Sequence, residues 1–242
     1  MAAGDPTYRR IVLKVSGEGL ARRGRFGIDE EALATTAGEV RSVTAAGVQV
    51  ALVIGGGNFF RGRQVADSER IARPTADTMG MLATTMNALA LRDCLDSAGV
   101  AARVMGTITT DAVSEPFVAR QAVEHLDAGR VVLLAGGTGH PYFTTDTCAA
   151  LRAAELDADA MLKATKVDGV FSDDPVTHPE AERFARLTYH EMLTRRLGVM
   201  DMTAVSLCMD AGIPVIVFKF TTRGNTLRVV RGEDVGTTIS AE

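Results

Sequence analysis

Val48-Gln49-Val50-Ala51-Leu52-Val53-Ile54-Gly55-Gly56-Gly57-Asn58 is the stretch from which the rest of the chain is best read. The run up to Ile54 reads as a buried strand, and it stops at three successive glycines. Without any Cβ in the turn, backbone N–H groups can approach an anion and point at it. The following Phe59-Phe60-Arg61-Gly62-Arg63 predicts entry into a helix, whose first N–H groups would add to the same positive field. A tight strand-to-helix turn without a ligand is the competing reading of a lone glycine cluster. Repetition weighs against it, because Lys14-Val15-Ser16-Gly17 and Ala135-Gly136-Gly137-Thr138-Gly139 carry the same chemistry at two further strand ends.

The two commonest glycine fingerprints fail. A dinucleotide pattern begun at Gly55, Gly17 or Gly137 needs a glycine where Phe60, Arg22 and Tyr142 stand, and no Gly-Lys pair exists to complete a Walker-type loop. The predicted phosphate cradle belongs to another class.

At 242 residues and 46% hydrophobic content the chain can bury a large core. Strand and helix patterns alternate without a Pro/Ser-rich linker, which predicts one α/β domain over residues 8–242 behind a loose tail at 1–7. With 26 basic and 30 acidic residues the net charge is −4, so bulk electrostatics do not invite nucleic acid or an anionic membrane. Cys94, Cys148 and Cys208 form no C-x-x-C pair, as expected of buried thiols in a reducing compartment, by default the cytosol. The first residues lack the features of a secretory signal. No apolar run approaches the roughly 20 residues that span a bilayer.

Arg10-Ile11-Val12-Leu13-Lys14-Val15 predicts the first strand, apolar on both faces as in a parallel sheet covered by helices. A lysine at its carboxyl end is costly unless paired or reaching a ligand, and ligands of parallel sheets bind there. Asp29-Glu30-Glu31 opens a helix that ends at Gly47. Pro74-Thr75-Ala76-Asp77 precedes a long helix reaching Ala98, with Asp77 readable as its N-cap and Met79, Leu82, Met86 and Leu89 as core or subunit-interface packing. Further strands are predicted at 100–105, 130–135, 159–163, 214–218 and 237–239, and helices at 117–127, 188–195, 202–211 and near Leu227. Asp146, at a helix start after Gly137-Thr138-Gly139, reads either as a plain N-cap or as part of a second phosphate loop. The turn-rich loop from Ala164 to Pro175 is able to hold a purine against Phe171.

Glycine-rich strand ends, the strand-end lysines Lys14 and Lys163 and a carboxylate near a helix start make phosphoryl transfer the most economical chemistry, since it asks for positioning and charge neutralisation. Lys14 and Lys163 would bracket the transferring group, with Asp146 orienting them and keeping them protonated, and Mg²⁺ arriving on the nucleotide. The four histidines show no metal-ligand spacing and no G-x-S-x-G elbow occurs.

In order along the chain, Lys14-Val15-Ser16-Gly17-Glu18, Gly55-Gly56-Gly57-Asn58-Phe59-Phe60-Arg61-Gly62, Asp77-Thr78-Met79-Gly80-Met81-Leu82-Ala83-Thr84, Gly137-Thr138-Gly139 through Thr144-Thr145-Asp146, Lys163 through Phe171 and Val199-Met200-Asp201 resemble the bacterial uridylate kinase family of the amino acid kinase superfamily. The resemblance covers nearly the whole chain. It implies a three-layer α/β/α sandwich around a largely parallel sheet, and transfer of the ATP γ-phosphate to UMP with Mg²⁺ in pyrimidine nucleotide biosynthesis. Carried over by position, Lys14, Val15, Ser16, Gly17, Gly57, Arg61, Thr165, Phe171 and Asp174 would contact ATP. Gly56, Asp77 and the segment Thr138, Gly139, His140, Pro141, Tyr142, Phe143, Thr144 and Thr145 would hold UMP. Members are typically homohexamers activated by GTP and inhibited by UTP, and the effector segment would correspond to Arg22, Arg23, Gly24, Arg25, Phe26 and Gly27.

Gly19, His140, Cys148 and Lys219 depart from the commonest family pattern, and none of them removes a proposed catalytic group. Two other readings stay open: a superfamily relative that phosphorylates a carboxylate or carbamate, and a non-catalytic metal-oxo storage or nucleotide-sensing protein on the same fold.

Overall fold

Among the described residues nine strands form one sheet, in the order β4-β3-β5-β2-β1-β6-β8-β9-β7. The computed structural model describes every residue except 1–4, 23–24, 61–69, 176 and 242. Along the chain come β1 (Arg10–Val15), a 3-10 turn (Gly17–Leu20), α1 (Glu30–Thr44), β2 (Gln49–Ile54) and α2 (Arg73–Ser97). Then follow β3 (Ala102–Gly106), β4 (Glu115–Pro116), α3 (Ala119–Asp127), β5 (Val131–Ala135), α4 (Thr145–Glu155) and β6 (Ala160–Thr165). The chain finishes with β7 (Arg186–Thr188), α5 (Tyr189–Arg195), α6 (Met202–Ala211), β8 (Val215–Lys219), α7 (Asn225–Val230) and β9 (Thr237–Ser240).

The central strands are parallel, and among the described residues the β8–β9 pairing is the antiparallel one between named strands. Each central strand is apolar on both faces because helices cover both. Ile11, Leu13, Val15, Val50, Leu52, Ile54, Leu133 and Leu162 pack with α1, α2 and α7. Val12, Ala51, Val53, Val132, Leu134 and Met161 pack with α3 to α6. The result is a three-layer sandwich. Alternation along β1 and β6 puts Lys14 and Lys163 on the second face, at its carboxyl edge.

Several expectations are corrected here. α2 begins at Arg73 with Ala72 as its N-cap, so Asp77 lies inside the first turns and caps nothing. The buried face of α2 is Ala76, Ala83, Thr84, Thr85, Asn87, Ala88, Leu91 and Leu95, with Leu89 packed partly against the core; Leu82 and Met86, exposed at 43% and 46%, are not core, which leaves the subunit-interface reading for them. Small residues win the inner face because the helix lies hard against the glycine turn: a Cβ on Gly56 would sit 2.5 Å from the Gly80 carbonyl oxygen. The edge strands β4 and β7, two and three residues long, were too short for any periodic signal. Of the tail at 1–7, residues 1–4 lie outside the described residues, and Thr7 already donates its N–H to the Val230 carbonyl. The helix expected after Phe60 falls on 61–69, also outside them. Cys148 and Cys208 are buried as expected, but Cys94 is only half-buried.

Candidate active site

Lys14 and Lys163 are register partners across the β1–β6 ladder, so their side chains leave the sheet side by side. α4 leaves β5 at the same edge, and its second residue, Asp146, enters between them. The Asp146 Oδ1 atom lies 3.0 Å from the Lys14 ammonium, and Oδ2 accepts a short hydrogen bond from Lys163. Thr144, not Asp146, is the N-cap: its hydroxyl oxygen accepts the N–H groups of Asp146 and Thr147. That frees the Asp146 carboxylate for the lysines.

All three groups are sheltered, with side-chain exposures of 11%, 8% and 13% for Lys14, Lys163 and Asp146. Burial pushes the Asp146 carboxyl up, but the two ammonium groups together pull harder, and it ends below the ordinary carboxylate value. For Lys163 burial prevails: desolvation and Lys14 outweigh Asp146, and its pKa falls below the ordinary lysine value. Asp146 therefore opposes that fall at Lys163 without reversing it. Two ammonium groups against one carboxylate leave a net positive charge in a low-dielectric pocket, which favours entry of a phosphate. The carboxylate is engaged by both lysines, and among the described residues no cluster of carboxylates, imidazoles or thiols has metal-holding geometry.

The glycine turn after β2 stands beside this triad. Gly55 does not offer its N–H to a ligand, because it extends the ladder to the Val15 carbonyl. Gly56 and Gly57 find no acceptor for their N–H groups among the described residues, and neither does Thr145 at the start of α4. The turn is fixed from behind by an amide pair. Asn87 on α2 donates to the Gly55 carbonyl at 2.8 Å, and the side chains of Asn87 and the buried Asn58 lie within hydrogen-bond distance of each other at 2.7 and 2.9 Å. Gly17 is sterically obligatory, since a Cβ there would come within 2.3 Å of the Gly55 carbonyl oxygen.

A cleft opens between this turn, α2 and the loop before α4. Gly56, Phe60, Asp77, Gly80, Thr84, Thr138, His140, Phe143 and Thr145 are among the residues lining it. Thr84 accepts the Gly136 N–H at 2.8 Å, tying the second glycine loop to α2. Asp77 accepts the Tyr142 N–H at 2.9 Å from across the cleft. Of the segment assigned to UMP, Gly56, Asp77, Thr138, His140, Phe143, Thr144 and Thr145 line the cleft, whereas Gly139, Pro141 and Tyr142 do not.

On the other side of the triad, Ser16, Gly17 and Thr165 lie at the ends of β1 and β6, and Lys166 joins the two ends through a 2.8 Å ion pair to Glu18. Phe171 and Asp174 lie further along the loop, where Phe171 bridges to Arg183. Arg61 is outside the described residues, as are Arg23 and Gly24 of the effector segment. Phe26 and Gly27 dock on the glycine turn, where Gly27 exchanges hydrogen bonds with Asn58 and Phe26 meets Phe59 edge-on at 5.5 Å, while Arg22 pairs with Asp29 at the start of α1.

Sequence reading missed the residues that hold the site in shape. Gly80, Thr84 and Asn87 follow Asp77, itself expected at the UMP site, at spacings of three and four along α2, a polar helical stripe inside an otherwise apolar pattern, and that was the available signal. Asp201 was quoted but given no role; it accepts the hydroxyls of Thr144 and Thr147 and the N–H of Ala204, joining the starts of α4 and α6.

A sequence model described as the Amino acid kinase family matches residues 9–219. Among solved structures, the chain is similar to a UMP kinase from Bacillus anthracis, with 39% identity, a TM-score of 0.94 and 97% of each chain covered. It is also similar to a UMP kinase from Ureaplasma parvum, at 34% identity and a TM-score of 0.90, over 96% of this chain and 98% of that one. A uridylate kinase from Archaeoglobus fulgidus aligns at 30% identity and a TM-score of 0.74, over 95% of this chain and 99% of that one. With the triad, the glycine turns and a family match over most of its length, the chain belongs to the amino acid kinase family.

Proposed function

We infer that this protein is a UMP kinase, transferring the γ-phosphate of ATP to UMP to give ADP and UDP, within one catalytic domain over residues 8–242. The observation that carries the reading is the Lys14–Asp146–Lys163 triad with a cleft on one flank and the β1 and β6 loop ends on the other. ATP is assigned to the loop side, through Lys14, Val15, Ser16, Gly17, Gly57, Arg61, Thr165, Phe171 and Asp174. UMP is assigned to the cleft, which Gly56 and Thr145 line and where their free N–H groups would serve as donors to an anion.

In this arrangement Lys14 and Lys163 neutralise the transferring phosphoryl group, and Asp146 holds both ammonium groups in place. The acceptor is itself a phosphate whose second ionisation lies near pKa ~6, so its attacking oxygen is already deprotonated at neutral pH and no general base is needed. Mg²⁺ carried in on ATP would supply charge neutralisation on the polyphosphate; the Asp146 carboxylate, engaged by both lysines, suits an ion that the nucleotide itself would hold.

A homohexamer regulated by GTP and UTP, working in pyrimidine biosynthesis in the cytoplasm, is the accompanying proposal. The exposed Leu82 and Met86 on α2 support a subunit contact, and the docking of Phe26 and Gly27 on the glycine turn supports an effector role for the Arg22–Gly27 segment. No described helix is long and apolar enough to cross a membrane. A coupled assay with ATP, Mg²⁺ and each nucleoside monophosphate tests the central reading. UMP should be the preferred acceptor; comparable turnover of CMP, or none of UMP, overturns it.

A further inference from the structure

Asp77 is committed to two partners before any ligand enters the cleft. The Arg73 Nε–H group reaches both of its carboxylate oxygens, at 2.9 and 2.8 Å, and the Tyr142 backbone N–H donates to Oδ2 at 2.9 Å. Tyr142 has φ 73°, a left-handed conformation that a bulky aromatic residue rarely adopts, and its side chain is 65% exposed. Its ring lies beneath the same arginine, whose guanidinium carbon is 5.6 Å from the ring centroid. Arg73 thus touches both ends of the Asp77–Tyr142 hydrogen bond while standing outside the cleft lining.

A surface ion pair four residues apart on a helix contributes little by itself. This one differs in what its carboxylate does. Asp77 is 15% exposed at the side chain and forms the link from α2 to the loop running from Thr138 to Thr145. Thr144 anchors the far end of that loop to Asp201; Phe143, between the two anchors, and His140, just before them, line the cleft. The carboxylate can hold Tyr142 in its left-handed turn only if its own orientation is fixed, and a planar arginine is suited to fix it.

We propose that Arg73 is a positioning residue for the phosphoryl acceptor: it orients Asp77 and stacks on Tyr142, and so sets the shape of the loop that closes the acceptor cleft. The proposal rests on the reading of this cleft as the UMP site. It predicts an effect confined to the acceptor, because Arg73 makes no contact with the lysine triad.

Steady-state kinetics on the full-length enzyme test it. Arg73→Ala should raise the KM for UMP about tenfold, as expected for loss of a hydrogen bond to a charged group, with kcat and the KM for ATP within about twofold of wild type. Arg73→Lys keeps the charge but lacks the planar fork, and should resemble the alanine variant. Asp77→Ala should also raise the KM for UMP, and adding Arg73→Ala to it should cost less than about a further twofold, because the two residues act as one unit. An unchanged KM for UMP in Arg73→Ala, equal rises for both nucleotides, or full recovery by lysine would reduce Arg73 to a helix-surface ion pair. If Asp77→Ala itself leaves the KM for UMP unchanged, the acceptor reading of the cleft fails instead.

Discussion

Lys14 and Lys163 are paired directly across two parallel strands, and their like-charged ends are held together by one carboxylate, Asp146. Such a pair is unfavourable without the anion between them, and it remains one negative charge short until a phosphate arrives.

Replacing that carboxylate is the most direct test. Asp146→Asn leaves two buried ammonium groups facing a neutral amide, which should cost about 3 kcal/mol of stability in a denaturant titration, in line with breaking a buried ion pair. Turnover should fall by about 10²-fold or more while nucleotide affinity, followed by titration, changes far less. Wild-type turnover in this variant would leave Asp146 as scaffolding only.

The depressed Lys163 pKa gives a pH signature. Its ammonium is needed in the charged form, so activity should fall as pH rises through the folded-state value, which lies below the ordinary 10.5. The unfolded chain holds that proton up to the ordinary value, so stability from this group rises with pH across the same window. Asp146 acts at the other end: its lowered pKa contributes stability above the ordinary carboxylate value that is lost as pH falls through the folded one. Lys163→Arg, charged throughout, should retain less activity but lose the alkaline limb; a limb at the same pH in that variant would assign it elsewhere.

The amide pair behind the glycine turn should matter to both nucleotides. Asn87→Leu takes from the Gly55 carbonyl its side-chain donor and leaves the buried Asn58 side chain with Gly27 alone, at a cost of about 1–3 kcal/mol. Because the turn sits between the two proposed nucleotide sites, KM should rise for ATP and UMP alike. A rise for one alone would show that the turn serves a single site.

Gly17→Ala tests the contact between the first two strand ends. Its new methyl would meet the Gly55 carbonyl and the Asn58 side chain at 2.3 and 2.6 Å, so backbone must move. A loss of about 1–3 kcal/mol is expected, as for overpacking elsewhere, together with weaker ATP binding. An unaltered melting temperature would mean that the loops can separate without penalty.

Local pattern made much of this legible. Apolar runs ending in glycine, the order of the motifs and the strand-end placement of Lys14 and Lys163 are properties of short segments, and they led to the parallel sandwich and the family. Edge strands of two or three residues carry no such pattern. Spacing alone left Asp77 and Asp146 open between helix caps and site residues, since an acid near a helix start looks the same whether it caps the helix or faces a partner from another strand; the strand-end lysines and the family motifs pointed to the second reading.

The sequence by itself determined which segments become buried parallel strands and that glycine-rich turns follow them, because hydrophobic period, glycine and strand-end charge act within a few residues. Only the tertiary structure decided that Lys14 meets Lys163 in register, that Thr144 caps α4 and releases Asp146, that Asn87 and Thr84 brace the glycine loops, and that Arg73 reaches Asp77. Those relationships depend on how helices pack across both faces of the sheet. That packing is fixed by burial summed over the whole core, which no short window of residues contains.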